Sequence, residues 1–164
     1  MIYEGKNILE NGKKMQKKND LLLKKIKKWP AGKIDNVIHE LHENAFEKID
    51  CLDCANCCKT TSPVFSQSDI ERISGRLKMR PGNFVEKYLK IDSDNDHVLK
   101  GSPCPFLEGD NKCSIYDDRP SACKTYPHTN RKKMFQLLDL TYRNSFICPA
   151  VQLIFEDLQT ITKT

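Results

Sequence analysis

The sequence predicts an α+β fold: a small, mostly helical single domain with a short strand pair and a loop-rich cysteine metal centre. Apolar residues recur at helical spacing in several segments after residue 33. Two short apolar runs flank a polar turn, as in a pair of strands. Four cysteines fall within "CLDCANCC" at residues 51–58, and four more follow downstream. A chain of 164 residues can bury a hydrophobic core without covalent cross-links, so its cysteines are available for chemistry.

Residues 1–33 are predicted to form a basic helical N-terminal arm, and residues 34–164 a cysteine-cluster metal-binding domain. The arm holds ten lysines and three acidic residues, a balance of +7, whereas the whole chain carries +5. The segment "WPAGK" at residues 29–33 ends the helix, because proline disfavours helix in the residue before it. Lysine runs of this kind are usually solvated helix faces, and aromatic residues are sparse among them. We therefore do not expect the arm to bind nucleic acid.

The helix with the clearest amphipathic pattern is predicted from about residue 34 to residue 49, where it leads directly into the first cysteine. Its apolar residues follow a spacing of about 3.6 residues. They are Ile34, Val37, Ile38, Leu41, Ala45, Phe46 and Ile49.

A further helix is predicted through about Leu77, with two registers open for its start. Ser66 can form a capping box with Asp69, and Ser68 can form one with Glu71. Proline is favoured at the first position of a helix, which predicts two more helices, one from Pro81 and one from Pro149. Their inward residues are predicted to be Phe84, Val85, Tyr88 and Leu89 in the first, and Val151, Ile154, Leu158 and Ile161 in the second.

The strand pair is predicted at "CPFL" and "CSIY", which flank the turn "EGDNK" at residues 108–112. The segment "DSDND" at residues 92–96 is predicted to be a loop. The segment "MFQLLDLTY" at residues 134–142 fits either a strand or a helix.

The cysteines are predicted to ligate metal, because thiolates are the donors of structural zinc sites and of iron–sulfur clusters. The first three are three residues apart, and two later cysteines each precede a proline. A continuous C-x-x-C-x-x-C run with a remote Cys-Pro is typical of bacterial ferredoxins, whereas zinc sites more often use separated pairs. This pattern favours an iron–sulfur cluster, such as [4Fe–4S], over zinc, and both stay open. The predicted ligands are Cys51, Cys54, Cys57, Cys58, Cys104, Cys113, Cys123 and Cys148.

The adjacent Cys57 and Cys58 have diverging side chains and are expected to serve different sites. We expect Cys57 to join Cys51, Cys54 and one of the proline-flanked cysteines, and Cys58 to join the remaining three. Disulfides and inert core cysteines are the alternatives. The polar residues around the run argue against a core position, and a chain without an apolar leader at its start is expected in the cytoplasm, where disulfides are rare. No segment approaches the roughly 20 apolar residues of a membrane span.

The sequence resembles the zinc- or iron-chelating cysteine-cluster family, whose members are often described as iron–sulfur-cluster-containing proteins. The likeness lies in "CLDCANCC" and in "CPFLEGDNKCSIYDDRPSACKTYP", and it spans about residues 51–148. Ala55 stands where glycine is common in the family, and Lys124 stands where arginine is common. The resemblance implies that all eight cysteines bind metal, and it leaves the metal open. A similar cluster occurs in the much longer flagellin lysine methylases.

Three residues of the same motif are predicted to surround the centre. Arg119 is expected to offset thiolate charge or to pair with Asp117, and a simple loop ion pair is the alternative. Tyr116 and Phe106 are expected to shield the centre from water, although ordinary core packing would also bury them.

Two functional classes follow from the sequence. The first is a metal-binding protein with an electron-transfer, metal-handling or structural role, whose partners are metal ions and a protein of unknown identity. The second is a redox or group-transfer enzyme, or an accessory subunit of one. We favour the first, because the chain has no phosphate-binding glycine loop, no H-E-x-x-H motif and no recognisable Ser/His/Asp series.

Overall fold

A computed structural model describes residues 5–163, without the side chains of residues 5–9, 11 and 13. Residues 1–4 of the predicted N-terminal arm and residue 164 lie outside the described residues. The chain groups into two compact units. Unit 1 comprises the described residues of Met1–Cys54 and Pro127–Thr164, and unit 2 comprises Ala55–Tyr126. The division predicted between residues 33 and 34 stays a prediction.

The predicted α+β class is confirmed, since helices predominate and a small antiparallel sheet accompanies them. The strands are β1 (Val64–Phe65), β2 (Leu89–Ile91) and β3 (His97–Leu99). Within residues 5–163, 3₁₀ turns cover Tyr116–Asp118 and Met134–Gln136. The helices are α1 (Gly5–Ile26), α2 (Ala31–Phe46), α3 (Cys51–Cys54), α4 (Asn56–Thr60), α5 (Gln67–Arg76), α6 (Pro81–Tyr88), α7 (Ser121–Thr125), α8 (Leu138–Asn144) and α9 (Pro149–Ile161).

Unit 1 is helical, and α9 packs against both α1 and α2 in it. The predicted stripe of α2 is confirmed at Ile34, Ile38, Leu41 and Ala45, which are all buried. The helix begins three residues earlier than predicted, because Pro30 takes the N-cap position and the chain can turn helical directly after it. Segment 134–142 resolves into a 3₁₀ turn followed by α8. None of the helices within residues 5–163 is both long enough and apolar enough to cross a bilayer.

Unit 2 holds the sheet, in which β3 lies between β1 and β2 and pairs antiparallel with each. Helices α5 and α6 pack against each other, and Pro81 and Pro149 occupy the first positions of α6 and α9, as predicted. The core of unit 2 combines residues from the sheet, these helices and the loop after them. Its buried members are Phe65, Ile70, Ile73, Phe84, Leu89, Leu99, Phe106 and Ile115.

The predicted strand pair forms only in part. The runs "CPFL" and "CSIY" are joined by a single antiparallel bridge, between Leu107 and Cys113. Pro105 has no backbone N–H to donate to a longer ladder, and the chain enters a 3₁₀ turn at Tyr116. The sheet forms instead from segments around Val64, residue 90 and Val98.

Candidate metal centre

The C-x-x-C-x-x-C-C run folds into two short helical segments. The backbone N–H of Leu52 donates to Asp50 Oδ1 at 2.8 Å and starts α3. Ala55 then adopts a left-handed conformation, with φ 46° and ψ 17°, before α4 begins. This conformation favours glycine, because a Cβ in it costs roughly 1–2 kcal/mol. The geometry gives a physical reason for the glycine that is common at this position in the family that the sequence resembles.

Four cysteines of unit 2 lie in one electrostatic neighbourhood. Cys58 is on α4, Cys123 is on α7, and Cys104 and Cys113 lie on the loop between β3 and α7. The backbone N–H of Cys104 donates to the carbonyl oxygen of Cys58 at 2.8 Å. Burial raises the pKa of Cys123 to about 12, and the charges of the other three cysteines add to the rise. Thiols that influence one another in this way are a set from which a shared cation could draw its ligands.

The thiol of Cys58 differs from the other three. A hydrogen bond with Cys57 lowers the pKa of Cys58 to about 7, against a smaller opposing effect of burial and with help from Lys59. Burial raises the pKa of Cys104 to about 11 and also raises the pKa of Cys113. Backbone amides act against both rises, from Phe106 on Cys104 and from Ile115 on Cys113. Cys58 is therefore the first of the four to ionise.

Of the three residues predicted around the centre, Phe106 is buried and belongs to the core of unit 2, against which Cys104 and Cys113 pack. Tyr116 is 43% exposed, so the burial expected for it is not found. Its ring is covered by Arg119, whose guanidinium carbon lies 3.8 Å from the ring centroid. The guanidinium also donates from Nη1 to the carbonyl oxygen of Tyr116 at 2.7 Å, so it is held in place by the residue that it covers. The roles of all three beside a metal stay predictions.

Arg119 acts on the cysteines through its charge. After the larger effect of burial, the guanidinium works to lower the pKa of both Cys113 and Cys123. A cation that stabilises two thiolates at once also reduces their mutual repulsion. The ion pair expected between Arg119 and Asp117 is not found among the ion pairs of the described residues.

A buried carboxylate holds the segment that carries Cys123. Asp69 Oδ1 accepts hydrogen bonds from the backbone N–H and the hydroxyl of Ser121, both at 3.1 Å, at the start of α7. The same oxygen accepts from Arg72 Nη2 at 2.7 Å. Arg72 also donates to the carbonyl oxygens of Asp118 and Arg119. The pair thus ties the chain before α7 to α5.

Sequence reasoning found only part of this arrangement. It offered the Ser66–Asp69 capping box as one of two registers, and the structure has that one, with Ser66 N–H donating to Asp69 Oδ2 at 3.0 Å. It missed the roles of Arg72 and Ser121. The spacing of Asp69 and Arg72 on one helix face was a readable signal, but Ser121 is 52 positions from Asp69.

In unit 1, Cys148 lies in the neighbourhood of Cys51 and Cys54. Burial raises the pKa of Cys148 to about 12, and the two other cysteines contribute to the rise. Cys148 occupies the N-cap position of α9, and the amides of Ala150 and Val151 act against this rise. Proline at residue 149 has no N–H, so the first amides available to a sulfur are those two. Cys104, which also precedes a proline, interacts with the amides two and three residues on in the same way.

The donor set fits a soft metal in kind. Sulfur ligands suit zinc and iron–sulfur clusters, and amide donors and a guanidinium stabilise their charge. Each of the eight cysteines is a thiol in this structure. Within the described residues, no three or more His, Cys, Asp or Glu side chains are already arranged to hold an ion. The thiols of each group therefore lie near one another without forming a coordination sphere. Metal binding would require the sulfur atoms to move closer to one another.

The comparison with protein families bears directly on this site. Residues 50–143 match the model of the CxxCxxCC family, described as a "putative zinc- or iron-chelating domain". The chain belongs to this family. The matched residues include seven of the eight cysteines and end before Cys148. Membership supports metal chelation and leaves open the choice between zinc and iron.

A comparison with individual curated proteins finds similarity to an uncharacterized protein of Methanocaldococcus jannaschii, which is 30% identical over 95 residues. The aligned part is 56% of this chain and 50% of the relative, so this chain matches about half the length of that protein. No solved structure matches the chain at a significant level.

Proposed function

We propose that this CxxCxxCC protein carries metal on its cysteines and acts in electron transfer, metal handling or structural stabilisation. The observation that carries the proposal is the group Cys58, Cys104, Cys113 and Cys123. Cys58 and Cys123 are 65 positions apart in the chain, yet all four thiols influence one another within unit 2. Four thiolates are the full ligand set of a tetrahedral zinc site or of one cubane cluster.

In unit 1, we propose that Cys51, Cys54 and Cys148 form a second group of ligands. The effect of Cys51 and Cys54 on the pKa of Cys148 supports that grouping. Cys57 stays a predicted eighth ligand, and its place beside Cys51 and Cys54 rests on sequence spacing.

An iron–sulfur cluster is our favoured occupant, because the three-residue spacing of the first cysteines and the Cys-Pro pairs match ferredoxin usage. A bound cluster would supply one-electron transfer, whereas zinc would supply stability alone. The chain's own residues would keep the unit 2 group dry and partly neutralised, through Phe106 and Arg119 respectively.

Anaerobic purification followed by metal and acid-labile sulfide analysis tests this proposal. We expect iron and sulfide together with broad absorption near roughly 400 nm, as for a thiolate-held cluster. Colourless protein that retains zinc would show that zinc, and not an iron–sulfur cluster, is the occupant. Oxygen-protected protein that contains no bound metal would contradict the proposal as a whole.

A redox or group-transfer enzyme is the second candidate, and one feature of unit 1 favours it. An open cleft of about 520 Å³ lies beside the exposed Cys51 and is lined by Phe46, Glu47, Lys48, Ile49, Asp50, Cys51 and Asp53. A substrate in this cleft would lie next to a predicted ligand. Cyanide added to the loaded protein should change its absorption spectrum if a coordination position is exchangeable. An unchanged spectrum would favour the binding protein.

Replacement of Arg119 by alanine is expected to weaken metal retention by unit 2 about 10–100-fold, the usual effect of losing a partner that stabilises metal ligands. Without the guanidinium, Cys113 and Cys123 would lose the cation that offsets their charges. Competition with a chromogenic chelator measures the effect. Arg119→Lys should recover part of the affinity, because it restores the charge but not the planar fork.

Arg76→Ala is the matched control, since it also removes a cation from unit 2. Arg76 Nε lies 3.8 Å from Asp118 Oδ2, and the Arg76 side chain is largely exposed. Equal losses in the Arg76 and Arg119 variants would show that general charge, rather than the position of Arg119, sets the affinity.

A further inference from the structure

An exposed leucine lies among lysines on the outer face of α1. Leu21 is 68% exposed, more than any other large apolar side chain in the part of the chain that the structure describes. The positions three and four residues before and after it are all lysines, and side chains at these spacings are neighbours on a helix. We call this set the Leu21 face. Its members are Leu21, Lys17, Lys18, Lys24 and Lys25, all of them exposed.

The opposite side of α1 packs in the core of unit 1 near the end of the helix. Leu22, Leu23 and Ile26 are buried in unit 1, where α1 packs against α8 and α9. The helix is therefore held so that the Leu21 face points outward. Leu21 therefore contributes nothing to the buried core of unit 1.

Within the residues that the structure describes, little negative charge offsets the lysines of the Leu21 face. Asp20 is the acidic residue nearest to it in sequence, and its carboxylate accepts a hydrogen bond from the hydroxyl of Tyr142. Lys25 Nζ donates to the carbonyl oxygen of Thr162. The remaining lysines of the face form no ion pair within the described residues. A cluster of ammonium groups of this kind attracts an anionic partner.

The chemistry of the face distinguishes among the anionic partners. A nucleic acid would place phosphates around an exposed leucine, which offers them nothing, and the face has no arginine or aromatic side chain to contact bases. A membrane would gain only one inserted leucine from this face, because Leu22, Leu23 and Ile26 are buried in unit 1. A protein gains from both features. An apolar anchor surrounded by charges is the usual anatomy of a protein interface.

We propose that the Leu21 face binds an acidic partner protein, with Leu21 entering an apolar pocket and the four lysines pairing with carboxylates around it. The proposal goes beyond metal binding and does not depend on it. Leu21 would set the lifetime of the complex, and the lysines would set its rate of formation and its dependence on salt.

Photo-cross-linking tests this proposal in cells of the native host with the full-length protein. A photoreactive amino acid replaces Leu21, and in a control it replaces Glu43, an exposed residue of α2. We expect one dominant protein to be cross-linked from position 21 and not from position 43, through a peptide rich in aspartate and glutamate. Cross-links to nucleic acid or lipid, or no cross-link specific to position 21, would overturn the proposal.

Binding measurements with the purified cross-linked protein complete the test. We expect Leu21→Ala to raise the Kd at least tenfold, mainly through faster dissociation. The double change Lys17→Glu and Lys18→Glu should slow association at least tenfold and reduce its salt dependence. The double change Arg131→Glu and Lys132→Glu makes the same charge change at exposed sites elsewhere in unit 1 and should alter the Kd less than twofold. A Kd that all these variants leave unchanged would overturn the proposal.

Metal content separates this test from that of the proposed function. The variants of the Leu21 face change no cysteine and should keep the metal content of the wild type. Variants of the Leu21 face that lose metal but keep partner binding would count against the docking role. Wild-type protein that contains no metal and still binds the partner through this face would support the docking role, although the proposed function would fail.

Discussion

Replacement of Cys123 by serine is expected to abolish metal binding by the cysteine group of unit 2. The hydroxyl of serine is a far weaker donor to a soft metal than a thiolate, so three ligands would remain of the proposed four. Structural zinc supplies about 10–16 kcal/mol of apparent binding free energy, and unit 2 would lose its metal-linked share of stability. The metal content of the chain should fall by the amount that this group holds. Metal analysis and hydrogen exchange on the loaded protein measure both effects.

The location of the lost protection makes this prediction specific. Amides of β3 in unit 2 should exchange faster in the Cys123→Ser protein, whereas those of α9 in unit 1 should not. Ala122→Ser is the control, because it places the same side chain one residue earlier on α7 and leaves all eight thiols in place. A Cys123→Ser protein with undiminished metal and unchanged exchange would show that Cys123 is not a ligand of this group.

Replacement of Asp69 by asparagine is expected to destabilise unit 2 by about 3 kcal/mol and to loosen its hold on metal. The carboxylate is buried and accepts hydrogen bonds from Ser66, Arg72 and Ser121, and bonds to a charged group are worth about 1.5–3 kcal/mol each. The side-chain amide of asparagine would direct its NH₂ group toward one of these three partners, which is itself a hydrogen-bond donor, so that hydrogen bond would be lost. Urea denaturation at neutral pH measures the change. The chelator assay should show faster metal loss, because Asp69 holds the start of the helix that carries Cys123.

The effect of Asp69 should depend on pH in a defined direction. Burial acts to raise the pKa of its carboxyl, but the hydrogen bonds from Ser66, Arg72 and Ser121 outweigh it and hold the pKa well below the ordinary value of 3.8. A group whose pKa is depressed by folding stabilises the fold above its unfolded pKa and loses this contribution as pH falls. The difference between wild type and Asp69→Asn should therefore be full at neutral pH and shrink below about pH 4.

Asp94→Asn is the matched control for this prediction. Asp94 is an exposed carboxylate of the same unit, in the loop between β2 and β3. Its replacement should change stability by less than about 0.5 kcal/mol at any pH. A stability difference for Asp69→Asn that stays constant from pH 7 to pH 3 would show that the carboxylate charge is not what unit 2 depends on.

Local features of the fold were predictable because their causes lie within a few residues of each other. The stripe of α2, the prolines that begin α6 and α9, and the capping box at Ser66 were all visible as short-range patterns. The choice of Ser66 over Ser68 was not visible. The Asp69 of this register also accepts a hydrogen bond from Ser121, which lies on a distant segment and favours the Ser66 start.

The strand prediction was confirmed only in part, for a related reason. "CPFL" and "CSIY" have the composition of strands, but a strand needs a partner with free backbone groups, and Pro105 and the turn at Tyr116 limit the pairing to one bridge. The partners of β3 are residues 64–65 and 89–91, and no local pattern in the sequence predicts this pairing.

The sequence by itself determined the chemistry of this protein: which eight side chains supply sulfur, and the zinc- or iron-chelating family that their spacing identifies. Only the tertiary structure decided which thiols share a neighbourhood, that Asp69 and Arg72 hold the Cys123 segment, and that Leu21 faces outward among lysines. The type of each residue and the spacing of close neighbours can be read directly from the sequence. The approach of distant residues depends on how all the buried surfaces pack together, and that is settled only when the chain folds.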